Sequence, residues 1–84
     1  MAKRGRKLPT LTATDLICVV EADGWHREQG TKHLAWEHPT KPGKVNIDAK
    51  WQHVRRSGWP LTAVLAQAGL TREEFEDIYW EQCR

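Results

Sequence analysis

The sequence predicts a small α+β domain: a helix, a three-stranded antiparallel sheet, a second helix and a further C-terminal helix. Three observations predict it. Leu16, Ile17, Val19 and Val20 recur at helical spacing ahead of Gly24, Leu34 and Trp36 alternate with His33, Ala35 and Glu37, and two apolar segments after Pro60 are divided by Gly69. The breaks between the strands are too short for crossover connections, so an antiparallel meander is the simplest pairing.

Residues 1–10 read as a flexible basic arm ending at Pro9 and too polar to pack, and residues 11–84 as a single domain. Thr12 or Thr14 can cap the first helix, with Asp15 near the positive end of its dipole, and the helix stops at Gly24. Trp25 to Glu28, Lys32 to His38 and Lys44 to Asp48 then read as three short strands. The segment Pro39-Thr40-Lys41-Pro42-Gly43 separates the last two, since its prolines and glycine forbid both helix and a central ladder. Pro60 opens a helix with Leu61, Val64, Leu65 and Ala68 on one face, and Gly69 ends it. Leu70 can reach Leu65 across that glycine, Thr71 and Glu74 match a capping box, and Leu70 with Phe75 matches a hydrophobic staple. Phe75, Ile78 and Tyr79 form the stripe of the last helix.

With this order the helices have to cover one face of the sheet and leave the other open. Side chains alternate along a strand, so Leu34, Trp36, Val45 and Ile47 look inward. His33, Ala35 and Glu37 then share the open face with Lys44, Asn46 and Asp48.

A chain of 84 residues removes only about two-thirds of its unfolded surface from water, which argues against a large enclosed pocket. No apolar run approaches the ~20 residues that span a bilayer, and no secretion signal follows the basic N-terminus, so a cytoplasmic protein without membrane contact is expected. Cys18 and Cys83 build neither a disulfide framework nor a paired-cysteine metal motif, and two free thiols are expected. Residues 1–58 hold eleven Lys/Arg against six Asp/Glu and residues 59–84 two against five, a split of +5 and −3 that suggests a basic surface for a polyanion.

Four segments taken together, Gly30 through His33, His38-Pro39-Thr40-Lys41-Pro42-Gly43-Lys44-Val45, Leu65-Ala66-Gln67-Ala68-Gly69-Leu70-Thr71 and Glu73-Glu74-Phe75, resemble the HicA (YcfA-like) family of RNA-cleaving toxins. The likeness runs from about residue 8 to about residue 79. It implies a fold similar to double-stranded-RNA-binding domains, an mRNA interferase activity, and a HicB-type antitoxin as partner. The family's catalytic histidine precedes the His-Pro turn by a fixed interval, and that interval, counted back from Pro39, falls on His33. Thr31-Lys32 stands where many members carry a single serine. Asp48-Ala49-Lys50-Trp51 stands where many carry a proline and a basic or histidine residue.

RNA cleavage without a metal needs a group to take the 2′-hydroxyl proton, a group to protonate the departing 5′-oxygen, and cations to offset charge in the transition state. Histidine suits the proton transfers because it exchanges protons near neutral pH. His33 is accordingly the candidate general acid or base, with Gly30, Thr31, Lys32, Lys44 and Lys50 as the candidate substrate-binding set. The plainer reading makes His33 a surface histidine and the chain a catalytically inactive RNA-binding or protein-interaction module of the same fold. His38, directly before Pro39, reads as a turn residue, and His26 and His53 carry weaker signals. No histidine pair has the i, i+4 helical spacing of a metal site, so neither metal nor cofactor is expected. Trp25 and Trp36 read as core, Trp51 and Trp59, which flank the basic segment His53 to Arg56, as candidates for nucleic-acid or partner contact, and Trp80 as an exposed protein-binding spot off the last helix's stripe.

Overall fold

The computed structural model describes residues 8–28, 35–55 and 58–83. Six elements follow in chain order: α1 (Ala13–Ala22), β1 (His26–Arg27), β2 (Ala35–Glu37), β3 (Lys44–Asn46), α2 (Leu61–Ala68) and α3 (Arg72–Gln82). The sheet has the order β1-β2-β3 with both pairings antiparallel, so the α+β layout read from the sequence is the one observed.

Local chemistry sets the helix ends. Thr12, rather than Thr14, caps α1. Its backbone N–H donates to Asp15 Oδ2 at 2.9 Å while the Asp15 N–H donates to Thr12 Oγ1 at 3.4 Å, a reciprocal box that satisfies two orphan donors. α2 ends at Gly69, whose φ of +68° is left-handed. The Gly69 N–H then meets Ala66 O at 3.3 Å and the Leu70 N–H meets Leu65 O at 3.0 Å, the two bonds of a Schellman motif. Thr71 starts α3 two residues later, with its N–H on Glu74 Oε1 (2.8 Å) and the Glu74 N–H on Thr71 Oγ1 (3.1 Å).

The strands are shorter than their sequence patterns. β3 ends at Asn46, whose N–H on the free edge of the sheet donates to the side-chain Oε1 of Gln67 in α2 at 2.8 Å. Beyond β1, the Glu28 N–H still reaches Ala35 O at 2.8 Å, so Glu28 stays beside the central strand. The core lies between the sheet and the helices. It gathers Leu16, Val19 and Val20 of α1, Trp36, Val45 and Ile47 of the sheet, Leu61, Val64 and Ala68 of α2, and Phe75 and Tyr79 of α3.

Two features depart from the sequence reading. Packing begins before residue 11: Leu8 is buried, and Leu11 forms an antiparallel bridge with Val54 through N–H to O bonds of 3.0 and 2.7 Å. The Ala13 N–H adds a bond to Trp51 O at 2.9 Å, so the polar stretch after β3 is tied back to the start of α1. Cys18 and Cys83 form a disulfide, against the expectation of two free thiols. α3 packs along α1, which sets their Cα atoms 5.8 Å apart, within the span a disulfide bridges. No described helix is long and apolar enough to cross a membrane.

Candidate functional site

Register assigns the two faces of the sheet. His26, Glu37 and Lys44 occupy one row of partners across the three strands, and Arg27, Trp36 and Val45 the next. Directly paired residues share a face. Trp36 and Val45 are buried under the helices, whereas His26, Glu37 and Lys44 are all exposed. The face opposite the core is therefore open at this row, as the alternation predicts.

Of the residues singled out for chemistry, His33, Gly30, Thr31 and Lys32 lie outside the described residues, as does the inward-assigned Leu34. Lys44 is on the open row. Its ammonium donates to Glu28 Oε2 at 2.5 Å. Glu28 has the strand parity of His26, so the pair spans the central strand, and Ala35, beside Glu28 on one side and Asn46 on the other, is buried despite sharing that face. The hydrogen bond to Glu28 and the charge of that carboxylate hold the Lys44 ammonium above the ordinary lysine value, with a smaller contribution from Glu37. Lys50 is exposed in the turn after β3, where its backbone N–H donates to Asp48 Oδ1 at 2.8 Å.

Glu28 was not among the residues the sequence singled out. The signal was present, since alternation from His26 sets it on the face of Lys44.

His38 has a structural role. Its Nδ1 accepts the N–H groups of Thr40 (3.1 Å) and Lys41 (3.2 Å), so the ring hydrogen is on Nε2 and donates to Asp23 O at 3.0 Å. The imidazole also meets Trp25 edge to face, with centroids 5.2 Å apart. Asp23 Oδ2 accepts from Trp25 Nε1 (3.2 Å) and Lys41 Nζ (2.7 Å), and the same ammonium reaches Ala68 O at 3.1 Å. The turn after β2 thereby clamps the C-terminal ends of α1 and α2, with both ring nitrogens of His38 committed. Among the described residues, no three His, Cys, Asp or Glu side chains converge as a metal-binding group.

Trp25 and Trp36 are core residues, and the Trp36 indole N–H donates to Glu21 Oε2 at 2.9 Å. Trp80, expected exposed, is half-buried. Its ring lies edge to face on Tyr79, with centroids 5.1 Å apart, and packs against the core.

No family model, no curated protein and no solved structure matches this chain.

Proposed function

We propose that this chain is a ribonuclease toxin of the HicA type: a metal-independent endoribonuclease that cleaves mRNA and is held in check by a HicB-type antitoxin seated on the uncovered face of the sheet. What supports the reading is the order of helix, three-stranded antiparallel sheet and helix together with the open row His26, Glu37 and Lys44, in a chain whose segments around His33, Pro39 and Gly69 resemble that family. His33 takes the 2′-hydroxyl proton or supplies the one that leaves with the 5′-oxygen, and Lys32, Lys44 and Lys50 offset phosphate charge. With both nitrogens of His38 engaged in the clamp, His33 rather than His38 is the histidine assigned to chemistry.

One observation favours a second reading, a catalytically inactive RNA-binding or protein-interaction module. A phosphate approaching Lys44 competes with Glu28, and Glu37 lies opposite on the same row. Carboxylates at that position repel a polyanion.

Induced expression in a bacterial host separates the two. The ribonuclease reading predicts growth arrest by the wild type and normal growth with His33→Ala. Normal growth with both selects the binding module, and equal arrest with both removes His33 from the chemistry.

A further inference from the structure

Trp59 is the exposed large hydrophobic side chain among the described residues, with 71% of its surface in water. It is nevertheless held in place. Its indole meets Trp51 edge to face, with centroids 5.7 Å apart and planes at 74°. Trp51 in turn is half-buried against the core, and its carbonyl accepts the Ala13 N–H. On the other side Trp59 is followed by buried Pro60, and the carbonyl of Gly58 accepts the Thr62 N–H of α2 at 3.0 Å. The backbone and one ring neighbour thus hold an indole whose surface is largely uncovered.

The cations of the same chain segment are also unengaged. Lys41, Lys44 and Arg72 each pair with a carboxylate. Lys50 and Arg55 are exposed and make no ion pair among the described residues. Asp48, the acid nearest in sequence, uses Oδ1 to accept the Lys50 backbone N–H. The described neighbours Gln52, His53, Arg55 and Gly58 are exposed, and none is a large apolar side chain. A protein partner is captured by a contiguous apolar patch, which one exposed indole on a half-buried second ring, with Gln52, His53, Arg55 and Gly58 as its exposed sequence neighbours, does not provide. A flat π surface in a segment that also carries exposed, unpaired cations at Lys50 and Arg55 fits an unstacked nucleobase with its flanking phosphates.

We propose that Trp51, Trp59, Lys50 and Arg55 form a stacking platform for single-stranded RNA, with a base on the Trp59 indole and phosphates on Lys50 and Arg55. The proposal rests on the RNA reading above; it shares Lys50 with that reading and adds a base contact on Trp59 and a phosphate contact on Arg55 outside the row of His26, Glu37 and Lys44.

The test is the affinity of the purified full chain for a labelled 2′-O-methyl oligouridylate, which has no free 2′-hydroxyl and so separates binding from cleavage. Trp59→Ala should weaken binding about tenfold, equivalent to about 1.4 kcal/mol. Trp59→Phe, which keeps a ring, should recover most of the loss, and Lys50→Gln and Arg55→Gln should each flatten the slope of log affinity against log salt by about 0.7. Circular dichroism establishes that each variant is folded. Wild-type affinity in Trp59→Ala, equal losses in the alanine and phenylalanine variants, or no binding by the wild type would each overturn the platform. Weakened binding by Trp59→Ala in a protein that cuts no RNA keeps the platform and removes the nuclease; cleavage of RNA with unchanged binding by Trp59→Ala does the reverse.

Discussion

Replacing Gly24 with alanine loads two separate costs onto one position. Gly24 has φ of +104°, where an L side chain is strained by about 1–2 kcal/mol. Its new Cβ would also lie 2.8 Å from His38 Nε2 and 3.4 Å from Cδ2. The ring cannot swing away freely, because Nε2 donates to Asp23 O, Nδ1 accepts from Thr40 and Lys41, and Trp25 packs against it. Displacing it forfeits about 1 kcal/mol or more of hydrogen bonding. The total is about 3 kcal/mol, which lowers Tm by roughly 15 °C in a domain of this size. Urea denaturation of the wild type, Gly24→Ala, His38→Ala and the double variant measures both parts. In the His38→Ala background the clash is gone and only the backbone strain remains, so the cycle should show a coupling of about 1 kcal/mol. Equal costs of Gly24→Ala in both backgrounds would refute the clamp assigned to His38.

Two further outcomes follow from particular contacts. The Cys18–Cys83 bond joins residues 65 apart in sequence, and constraint of the unfolded chain over such a loop is worth about 4 kcal/mol. Cys83→Ser should lose that much stability, and a reductant should destabilise the wild type equally while leaving the variant unchanged; two thiols titrating in the folded wild type would contradict the bond. For the Lys44–Glu28 pair, the folded-state value of the lysine is raised above 10.5, so the stabilisation is fully present below 10.5 and is lost as pH rises through the folded value. The Tm difference between wild type and Lys44→Met should hold steady from neutral pH up to 10.5 and shrink above it, and a difference that grew with alkalinity would be the wrong sign.

Much of the fold was legible because it is written in local chemistry. Thr71 with Glu74, and Gly69 with Leu70, act within a few residues of one another, so their spacing alone marks the end of α2 and the start of α3. The inward rows were legible for the same reason, since strand parity needs no knowledge of the partner. What escaped depends on contacts between distant segments. Leu8 and Leu11 pack because Val54 returns to them, and Cys18 meets Cys83 only once α3 lies along α1. Trp80 sits off the stripe of its own helix, yet Tyr79 and the core cover it in part. For the candidate site, alternation correctly assigned Lys44 to an open row, and the neighbouring carboxylate Glu28 comes from the same alternation applied one strand earlier.

The most direct test of the central claim is incubation of purified protein with a defined RNA, followed by analysis of the product ends for the wild type and for His33→Ala across a pH series. Proton transfer by His33 predicts 2′,3′-cyclic phosphate and 5′-hydroxyl ends from the wild type, a rate that varies with pH in the range where imidazole titrates, and no cleavage by the variant. Cleavage by His33→Ala at the wild-type rate, with the same ends and the same pH profile, would contradict it.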